Sequence, residues 1–474
     1  MFIANFQTNI TMNIKVFLSK QIDDIKTYGI HELFRKFYLL IKIFISIPIS
    51  IIAILPCLII RLVSPWIIIR IDKFPCGNFG DLAEIPAIYL CKKKLKIDLP
   101  NKKYLDFVYI PHEQKIYNRQ LVKMWRKKFN FLSGHLLDPI NRVNRLIPGW
   151  KTHAIGLMSF STEHDVDNLI EKYQPLDFTN EEEMNGKKIL NKFGLKNEDK
   201  FVCLAVRDEV YQQKKISSRY RNWSYHDHRN HDIDNFVLAA EELAKRGYYV
   251  FRMGVAVKKP LNSKNLKIID YANSSLRSDF MDVYLGAKCL FCISTSLGFD
   301  CVPYIFGKPI VRLTLPLGDL TTDSKKNLLI TKHHILKKEK RKLSLSEIFS
   351  HGLAFVFHKK IYDKMGIELV DHTPEEIKDV VIEMVENLEF KKKINLEDEK
   401  LQEIFKSLYN SNIKRFIKHP TIIKILEEGT KISSESRAVK NNFQNCKSYS
   451  HKLHDKIRAR FGTKFLKENR TWLK

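Results

Sequence analysis

The stretch "SDFMDVYLGAKCLFCISTSLG" (residues 278–298) holds the pattern that decides the fold. Its first ten residues have the spacing of a short helix, and "CLFCISTS" is an apolar strand that ends in hydroxyl side chains. The same alternation continues on both sides. Further strands are predicted at "FVCLAVRD" (201–208), "YYVFRMG" (248–254), "LKIIDYA" (266–272) and, after a helix at "LGFDCVPYIFG", "KPIVRLTL" (308–315). Strands that alternate with helices predict a parallel sheet of Rossmann type.

An earlier part of the chain repeats this alternation. An apolar strand at Trp66–Ile71 leads through a loop with Gly77 and Gly80 into a helix from about Asp81, and a second strand and helix follow. The polar segment after residue 175 has the composition of a connection between domains. We therefore predict an α/β protein with two Rossmann-like doubly wound domains, at 63–175 and 201–390, joined by a linker at 176–200.

The N-terminal part of the chain contains an uncharged run, "IFISIPISIIAILPCLII" (Ile43–Ile60). A run of this length is near the minimum for crossing a bilayer. Cationic residues stand on both sides of it, at Arg35, Lys36, Lys42 and Arg61. The sequence predicts a membrane anchor, spanning or re-entrant, within residues 1–62, with the catalytic domains in the cytoplasm. A buried core helix is the alternative.

Lysine and arginine outnumber acidic residues by 80 to 53, which gives a net charge of +27. Such an excess indicates nucleic acid, anionic lipid or phosphorylated substrates as partners, or a lysine-rich solvated surface. No RNP, KH or helix-turn-helix signature is present, and the cations do not interleave with aromatic residues, so we expect no nucleic-acid partner. A membrane-tethered nucleic-acid binder nevertheless stays as a rival class.

The C-terminal segment is especially basic. Residues 411–474 contain sixteen lysines or arginines and five acidic residues. We predict a basic helical tail over 391–474 that is attracted to anionic lipid headgroups. A solvated helix that packs back on the N-terminal domain is an equal alternative.

The carboxyl ends of the predicted strands carry the candidate site. Ligands of doubly wound sheets bind outside these ends. The strand ends supply Arg207 with Asp208, and Arg252 with Gly254. The turn "STSLG" adds small and hydroxyl residues at the start of a helix, where backbone amides favour phosphate. This turn contributes the candidates Ser294, Thr295, Ser296 and Gly298. Arg207 and Arg252 have structural ion pairs as their alternative roles.

A histidine-rich loop, "SYHDHRNHDI" (224–233), raises the question of a metal. The spacing of His226, His228 and His231 suits neither one helix face nor one strand face, and it matches no common zinc pattern. Cys289 and Cys292 lie in an apolar run and are interpreted as core residues. We expect no metal and no cofactor. The loop precedes a helix capped by Asp232 or Asp234, which favours an anion there.

Several of these motifs, in this order, resemble a family of bacterial glycosyltransferases associated with surface polysaccharide synthesis. They are "VRDEVY", "HDHRNHDIDNF", "VFRMG", "IIDYANS", "SDFMDVYLGAKCLFCIST" and "FGKPIV", within residues 66–390. The resemblance implies the GT-B architecture, with a nucleotide-sugar in the C-terminal domain. A weaker likeness is to fucosyltransferases that invert configuration without a metal.

The resemblance implies a donor site that includes Arg207, Arg229, Asn230, Arg252 and the serine-rich turn. Cations and amides aimed at the departing diphosphate would then supply the main catalytic effect. Asp81 is the candidate general base, with helix capping as its alternative role, and His112 is the reserve. We predict transfer of a sugar from a nucleotide-diphosphate donor to a surface-polysaccharide or lipid-linked acceptor. A pyruvyl or phosphosugar transferase on the same fold is the runner-up.

Overall fold

A computed structural model describes most of the chain. The described residues are Ile22, Ile25, 29–157, Asp165, 168–211, 224–314, Leu317, 324–355, 359–389, 395–416 and 457–474. The chain divides into two compact units. The first unit takes the chain up to Lys73 together with Asn101–His112 and Phe131–Ile155, and the second takes Phe74–Pro100, Glu113–Asn130 and Gly156–Lys474.

The helices and strands alternate along most of the chain. The helices are α1 Ile30–Ile52, α2 Ile54–Leu62, α3 Phe79–Leu95, α4 Arg119–Arg126, α5 Gly134–Asn144, α6 Leu169–Lys172, α7 Asn180–Lys192, α8 Val237–Lys245, α9 Asp279–Lys288, α10 Cys301–Ile305, α11 Leu345–Ser350, α12 Lys359–Lys364, α13 Pro374–Glu389, α14 Leu396–Phe416 and α15 Thr463–Glu468. The strands are β1 Ile68–Lys73, β2 Tyr104–Tyr109, β3 Asn130–Phe131, β4 Phe201–Ala205, β5 Tyr249–Arg252, β6 Ile268–Ile269, β7 Cys292–Ser294, β8 Ile310–Thr314, β9 Leu328–Thr331, β10 His333–Leu336, β11 Arg341–Lys342, β12 Ile367–Val370 and β13 Arg460–Phe461.

The first unit is built on a small parallel sheet. β1 pairs with β2 in parallel, and the buried side chains of Arg70 and Asp106, which face each other in this register, form an ion pair of 2.7 Å. Helix α2 packs on α5 through one apolar face, where Cys57 and Ile60 meet Ile140 in a common core. The unit therefore combines helices with a parallel sheet, as the sequence predicts. Its sheet is smaller than that of a doubly wound domain.

The second unit contains a seven-stranded sheet in the order β13-β9-β8-β7-β4-β5-β6, and its paired strands are parallel. Taken from β6, the order β6-β5-β4-β7-β8-β9 is that of a doubly wound Rossmann sheet. The order in which strands are added reverses between β4 and β7, which are parallel neighbours although two strands separate them in sequence. The chain from residue 201 onward therefore contains a parallel sheet with doubly wound strand order.

Segment 176–200, the predicted linker, contains α7, whose capping box joins Thr179 and Glu182 and whose Gly186 is buried. The domain organisation differs from the prediction in two respects. The units interleave through residues 74–155, so that no single boundary falls near 175. A third, antiparallel sheet of β11, β10 and β12 within the second unit was not predicted.

The end of the chain is also different from the predicted basic helical tail. Residues 457–474 form β13, α15 and a final 3-10 turn, and β13 extends the large sheet beside β9. Phe461 is fully buried, and the Trp472 ring lies 5.2 Å from it. Burial of these aromatic side chains outweighs the solvation of the neighbouring cations. Residues 417–456 of the predicted tail lie outside the described residues.

Candidate functional site

A cavity of about 320 Å³ lies within the second unit, at the point where the order of the strands in the large sheet reverses. Its walls are the segments that follow β4, β5 and β7, together with the start of α3. Ligands of doubly wound sheets bind at this topological position. The lining residues are Asn78, Phe79, Gly80, Asp81, Tyr117, Val206, Arg207, Asp208, Tyr211, Met253, Gly254, Val255, Ala256, Val257, Asp282, Leu297, Gly298 and Phe299.

Arg207 and Asp208 both line this cavity, as the strand-end pattern predicts. The Arg207 backbone N–H donates to Thr295 Oγ1 at 2.8 Å, and its Nε donates to Asn230 Oδ1 at 3.3 Å. The two Asp208 carboxylate oxygens accept the backbone N–H groups of Val210 and Lys258 at 3.0 and 2.8 Å. Asp208 therefore joins the loop after β4 to the loop after β5, and it shapes the cavity wall.

The first turn of α3 forms the opposite wall. Asn78 precedes the helix in an extended conformation, and its side-chain amide donates to Asp81 Oδ2 at 3.0 Å. Asp81 lies in the first turn and lines the cavity. The first amides of a helix have no carbonyl partner within it, and the helix dipole favours anions near them. This wall therefore brings together a carboxylate and an anion-attracting backbone.

The serine-rich turn after β7 is held by contacts with residues outside it. Ser294 is fully buried, and its hydroxyl donates to Asp300 Oδ2 at 2.8 Å, which Arg312 also contacts. Thr295 is buried and accepts from Arg207, as described above. Ser296 has a positive φ of 59°. Of the four predicted residues in this turn, the structure brings Gly298 to the cavity and uses Ser294 and Thr295 to support it.

Arg229 and Asn230 are not among the residues that line the cavity. The Arg229 guanidinium donates to the Ser296 carbonyl at 2.9 Å, and the backbone N–H of His231 donates to the Arg207 carbonyl at 3.0 Å. Burial lowers the pKa of His231 well below its ordinary value. The loop therefore positions Arg207 and the serine-rich turn with a neutral imidazole at its base. The side chain of His226 lies outside the described residues.

Arg252 is enclosed by protein. Its side chain is 1% exposed, and its guanidinium donates to Asp270 Oδ1 at 3.2 Å and to the Lys259 carbonyl at 3.3 Å. Arg252 does not line the cavity, whereas its neighbours Met253 and Gly254 do. A donor contact of Arg252 stays a prediction, and the contacts present are those of the alternative, a structural ion pair.

Sequence reasoning missed one acidic residue of the cavity, Asp282 on α9. It accepts a hydrogen bond from the Tyr271 hydroxyl at 2.9 Å and pairs with Arg277 at 2.9 Å. Burial raises the pKa of Asp282 to about 6, and Arg277 opposes that change. The helical spacing of "SDFMDVYLGA" predicted the helix, but it did not indicate that Asp282 faces a ligand cavity.

His112, the reserve base, belongs to the first unit and is absent from the residues that line the cavity. Its ring lies 4.6 Å from that of His135. Over the part of the chain that the structure describes, no group of three histidine, cysteine or acidic residues is arranged to hold a metal ion. Cys289 and Cys292 are buried, in agreement with their interpretation as core residues.

No protein-family model matches the chain, and no curated protein matches it by sequence. A glycosyl transferase family 9 structure from Veillonella parvula is similar over 68% of this chain and 97% of its own, at 13% identity and a TM-score of 0.36. E. coli ADP-heptose LPS heptosyltransferase II is similar over 69% of this chain and 100% of its own, at 14% identity and a TM-score of 0.36.

A third similar structure is the iron-containing dodecameric glycosyltransferase TibC from enterotoxigenic E. coli, at 10% identity and a TM-score of 0.25 over 54% of this chain and 60% of its own. All three similar structures are described as glycosyltransferases. At these identities and TM-scores the likenesses name no family for the chain. The fold described above rests on the strand order of the sheet itself.

Proposed function

We propose that the protein is a glycosyltransferase that moves a sugar from a nucleotide-diphosphate donor to an acceptor hydroxyl. The observation that carries this proposal is the cavity at the reversal point of the doubly wound sheet. It combines a carboxylate at Asp81, a guanidinium at Arg207 and an apolar wall at Met253–Val257. These are the groups that a transfer from an anionic leaving group with a bulky nucleoside requires.

The nucleoside and the diphosphate of the donor require different surroundings in the cavity. The nucleoside suits the apolar wall after β5, because burial of a base is favourable against Met253, Val255 and Val257. The diphosphate suits the space beside the Arg207 guanidinium, on the wall opposite Asp81, because a cation there favours negative charge. As the sugar leaves, the same guanidinium stabilises the charge that develops on the phosphate oxygens.

Asp81 is proposed as the general base that takes the proton of the acceptor hydroxyl. A base on the face opposite the leaving diphosphate gives inversion of configuration at the sugar carbon. Arg207 and the backbone amides replace a divalent cation in this proposal, so the reaction proceeds in the presence of EDTA. The acceptor class, a surface polysaccharide or a lipid-linked glycan, rests on the sequence resemblance alone.

The test is a thermal-shift panel of nucleoside diphosphates and nucleotide-sugars on the full chain, followed by measurement of diphosphate release with the ligands that bind. A ligand that binds only the folded state raises its stability by mass action, by about 2.7 kcal/mol at one hundred times its Kd. We expect a shift with one nucleoside diphosphate and loss of that shift in Arg207→Ala. Absence of any shift across the panel, or binding of phosphosugars or phosphoenolpyruvate instead, would contradict the proposal.

A further inference from the structure

The apolar surface of the first unit carries a second inference, which is independent of the proposed reaction. One helical stretch, Phe44–Leu62, is long and apolar enough to cross a membrane, with a mean hydropathy of 2.4. Only 17% of it is buried by protein. Its exposed apolar face includes Phe44, Ile45, Ile52, Leu55, Leu58 and Leu62. A face of this size on a folded unit marks an interaction surface.

The opposite side of the same stretch is fixed to the folded unit. Ala53, Cys57 and Ile60 recur at helical spacing and are buried against α5. The Cys57 thiol donates to the Ile140 carbonyl at 3.3 Å. The Arg61 guanidinium donates to Asn144 Oδ1 at 2.7 Å and to the Cys57 carbonyl at 3.1 Å. Helix α2 is therefore attached along one side over its whole length.

Helix α5, on which α2 rests, is too polar to enter a bilayer with it. Asp138 pairs with Arg142 on the α5 surface, and Asn141 and Asn144 are buried within the unit. Ionisable groups are costly to place in the hydrocarbon layer of a bilayer. A bilayer crossing by Phe44–Leu62 would require either burial of α5 in lipid or loss of the Cys57 and Ile60 contacts.

A separate loop of the same unit has the composition of a membrane contact. Leu146 is 83% exposed at the tip of "RLIPGW" (145–150), and Arg145 and Arg142 beside it have half-exposed side chains. Trp66, just after α2, is also strongly exposed. Tryptophan and arginine are typical of the headgroup region, and cations next to exposed apolar side chains favour an anionic surface.

We propose that the first unit docks on an anionic lipid bilayer with α1 and α2 lying in the plane of the membrane, without crossing it. The exposed face inserts among the headgroups and upper acyl chains, while the α5 side stays with the protein. Such an attachment is monotopic, and it differs from both the spanning and the re-entrant anchor.

The binding test is flotation of the purified full chain with vesicles of phosphatidylcholine, with and without phosphatidylglycerol. We expect binding that increases with phosphatidylglycerol. Leu55→Glu with Leu58→Glu should reduce the bound fraction by more than about tenfold, because two exposed leucines on the inserted face are lost. Leu146→Glu should weaken binding less, and Leu266→Glu is the control, since Leu266 is a still more exposed leucine that belongs to the second unit.

Orientation is tested by adding one cysteine on each side of the stretch, Phe37→Cys and Trp66→Cys, and labelling vesicles of known orientation with an impermeant maleimide. In-plane placement exposes both new thiols on one side, and labelling from opposite sides would overturn it. Unchanged flotation of the double glutamate variant would overturn the lipid surface. A dimer that is lost in that variant, found by light scattering without lipid, would assign the face to a second copy of the chain. If the double variant does not fold, the weaker flotation expected of Leu146→Glu still tests the lipid surface.

Discussion

Gly80 and Gly298 meet backbone to backbone where the start of α3 reaches the turn after β7. A Cβ on Gly298 would lie 3.0 Å from the Gly80 amide nitrogen, and one on Gly80 would lie 3.2 Å from the Gly298 Cα. Both residues line the cavity. The approach sets the distance between Asp81 and the serine-rich turn, because no side chain separates the two segments.

Gly298→Ala should therefore separate α3 from the turn and weaken nucleoside diphosphate binding by about tenfold or more. Overpacking against backbone costs about 1–3 kcal/mol, since a main chain cannot rotate away as a side chain can. The measurements are urea unfolding and a thermal-shift titration. Gly77→Ala is the control, because its Cβ would meet only the Gln114 side-chain amide, at 3.2 Å, and this group can move. Equal ligand affinity in both variants would show that the glycine contact does not shape the site.

Arg252 should act on stability more than on ligand affinity. Its guanidinium is buried and pairs with the partly exposed Asp270, and removal of the arginine leaves that carboxylate without its cation, at a cost of up to roughly 3 kcal/mol. Arg252→Met should lower the free energy of unfolding by about this amount, whereas Arg252→Met with Asp270→Leu should recover part of it. Denaturant unfolding of the three proteins checks this. If Arg252→Met keeps its stability and loses nucleotide binding, the residue belongs to the donor site after all.

The sequence predicted the second unit well where the pattern was local. The strands β4 to β8 and the helices between them follow from apolar runs and helical spacing, and Arg207 and Asp208 were placed at a strand end that does line the cavity. A local sequence pattern does not show which distant residue a side chain will contact. Arg252 and Asp270 come from different strand ends, and their pairing follows only from the parallel register of β5 and β6.

Packing between residues that are distant in the sequence explains the other differences between the predicted and the observed structure. Phe461 and Trp472 lie in a basic segment whose charge predicts a solvated tail, but their rings complete a core with Phe405, more than fifty residues earlier. Asp282 was missed for a related reason, since a single acidic residue in an amphipathic helix is usually solvated. Its ligand-facing position depends on the packing of α9 beside the cavity and on Tyr271 from another loop.

Asp282 should make stability depend on pH in a specific direction. Burial raises its pKa from 3.8 to about 6, so the folded state holds a proton between about pH 4 and 6 that the unfolded state has released. The contribution of this group is fully present below pH 3.8 and is lost as the pH rises through 6. The free energy of unfolding of the wild type minus that of Asp282→Asn should therefore fall by about 1–3 kcal/mol between pH 4 and 7.5. If the difference in the free energy of unfolding between the two proteins stays constant across this range, the raised pKa of Asp282 is contradicted. Titrating groups that both proteins share contribute equally and cancel in the difference.

Asp81→Asn should separate catalysis from binding. If Asp81 takes the acceptor proton, its amide replacement removes the base and leaves the shape and the Asn78 contact nearly intact, since an amide oxygen can still accept that hydrogen bond. We expect kcat for diphosphate release to fall by about 10²–10⁴-fold, with donor affinity within about threefold and stability within about 0.5 kcal/mol. Glu181→Gln is the matched control, because Glu181 is also an acidic residue in the first turn of a helix and does not line the cavity. If Asp81 only stabilises the start of α3, both variants should lose a similar few tenths of a kcal/mol through the helix dipole, and turnover should persist.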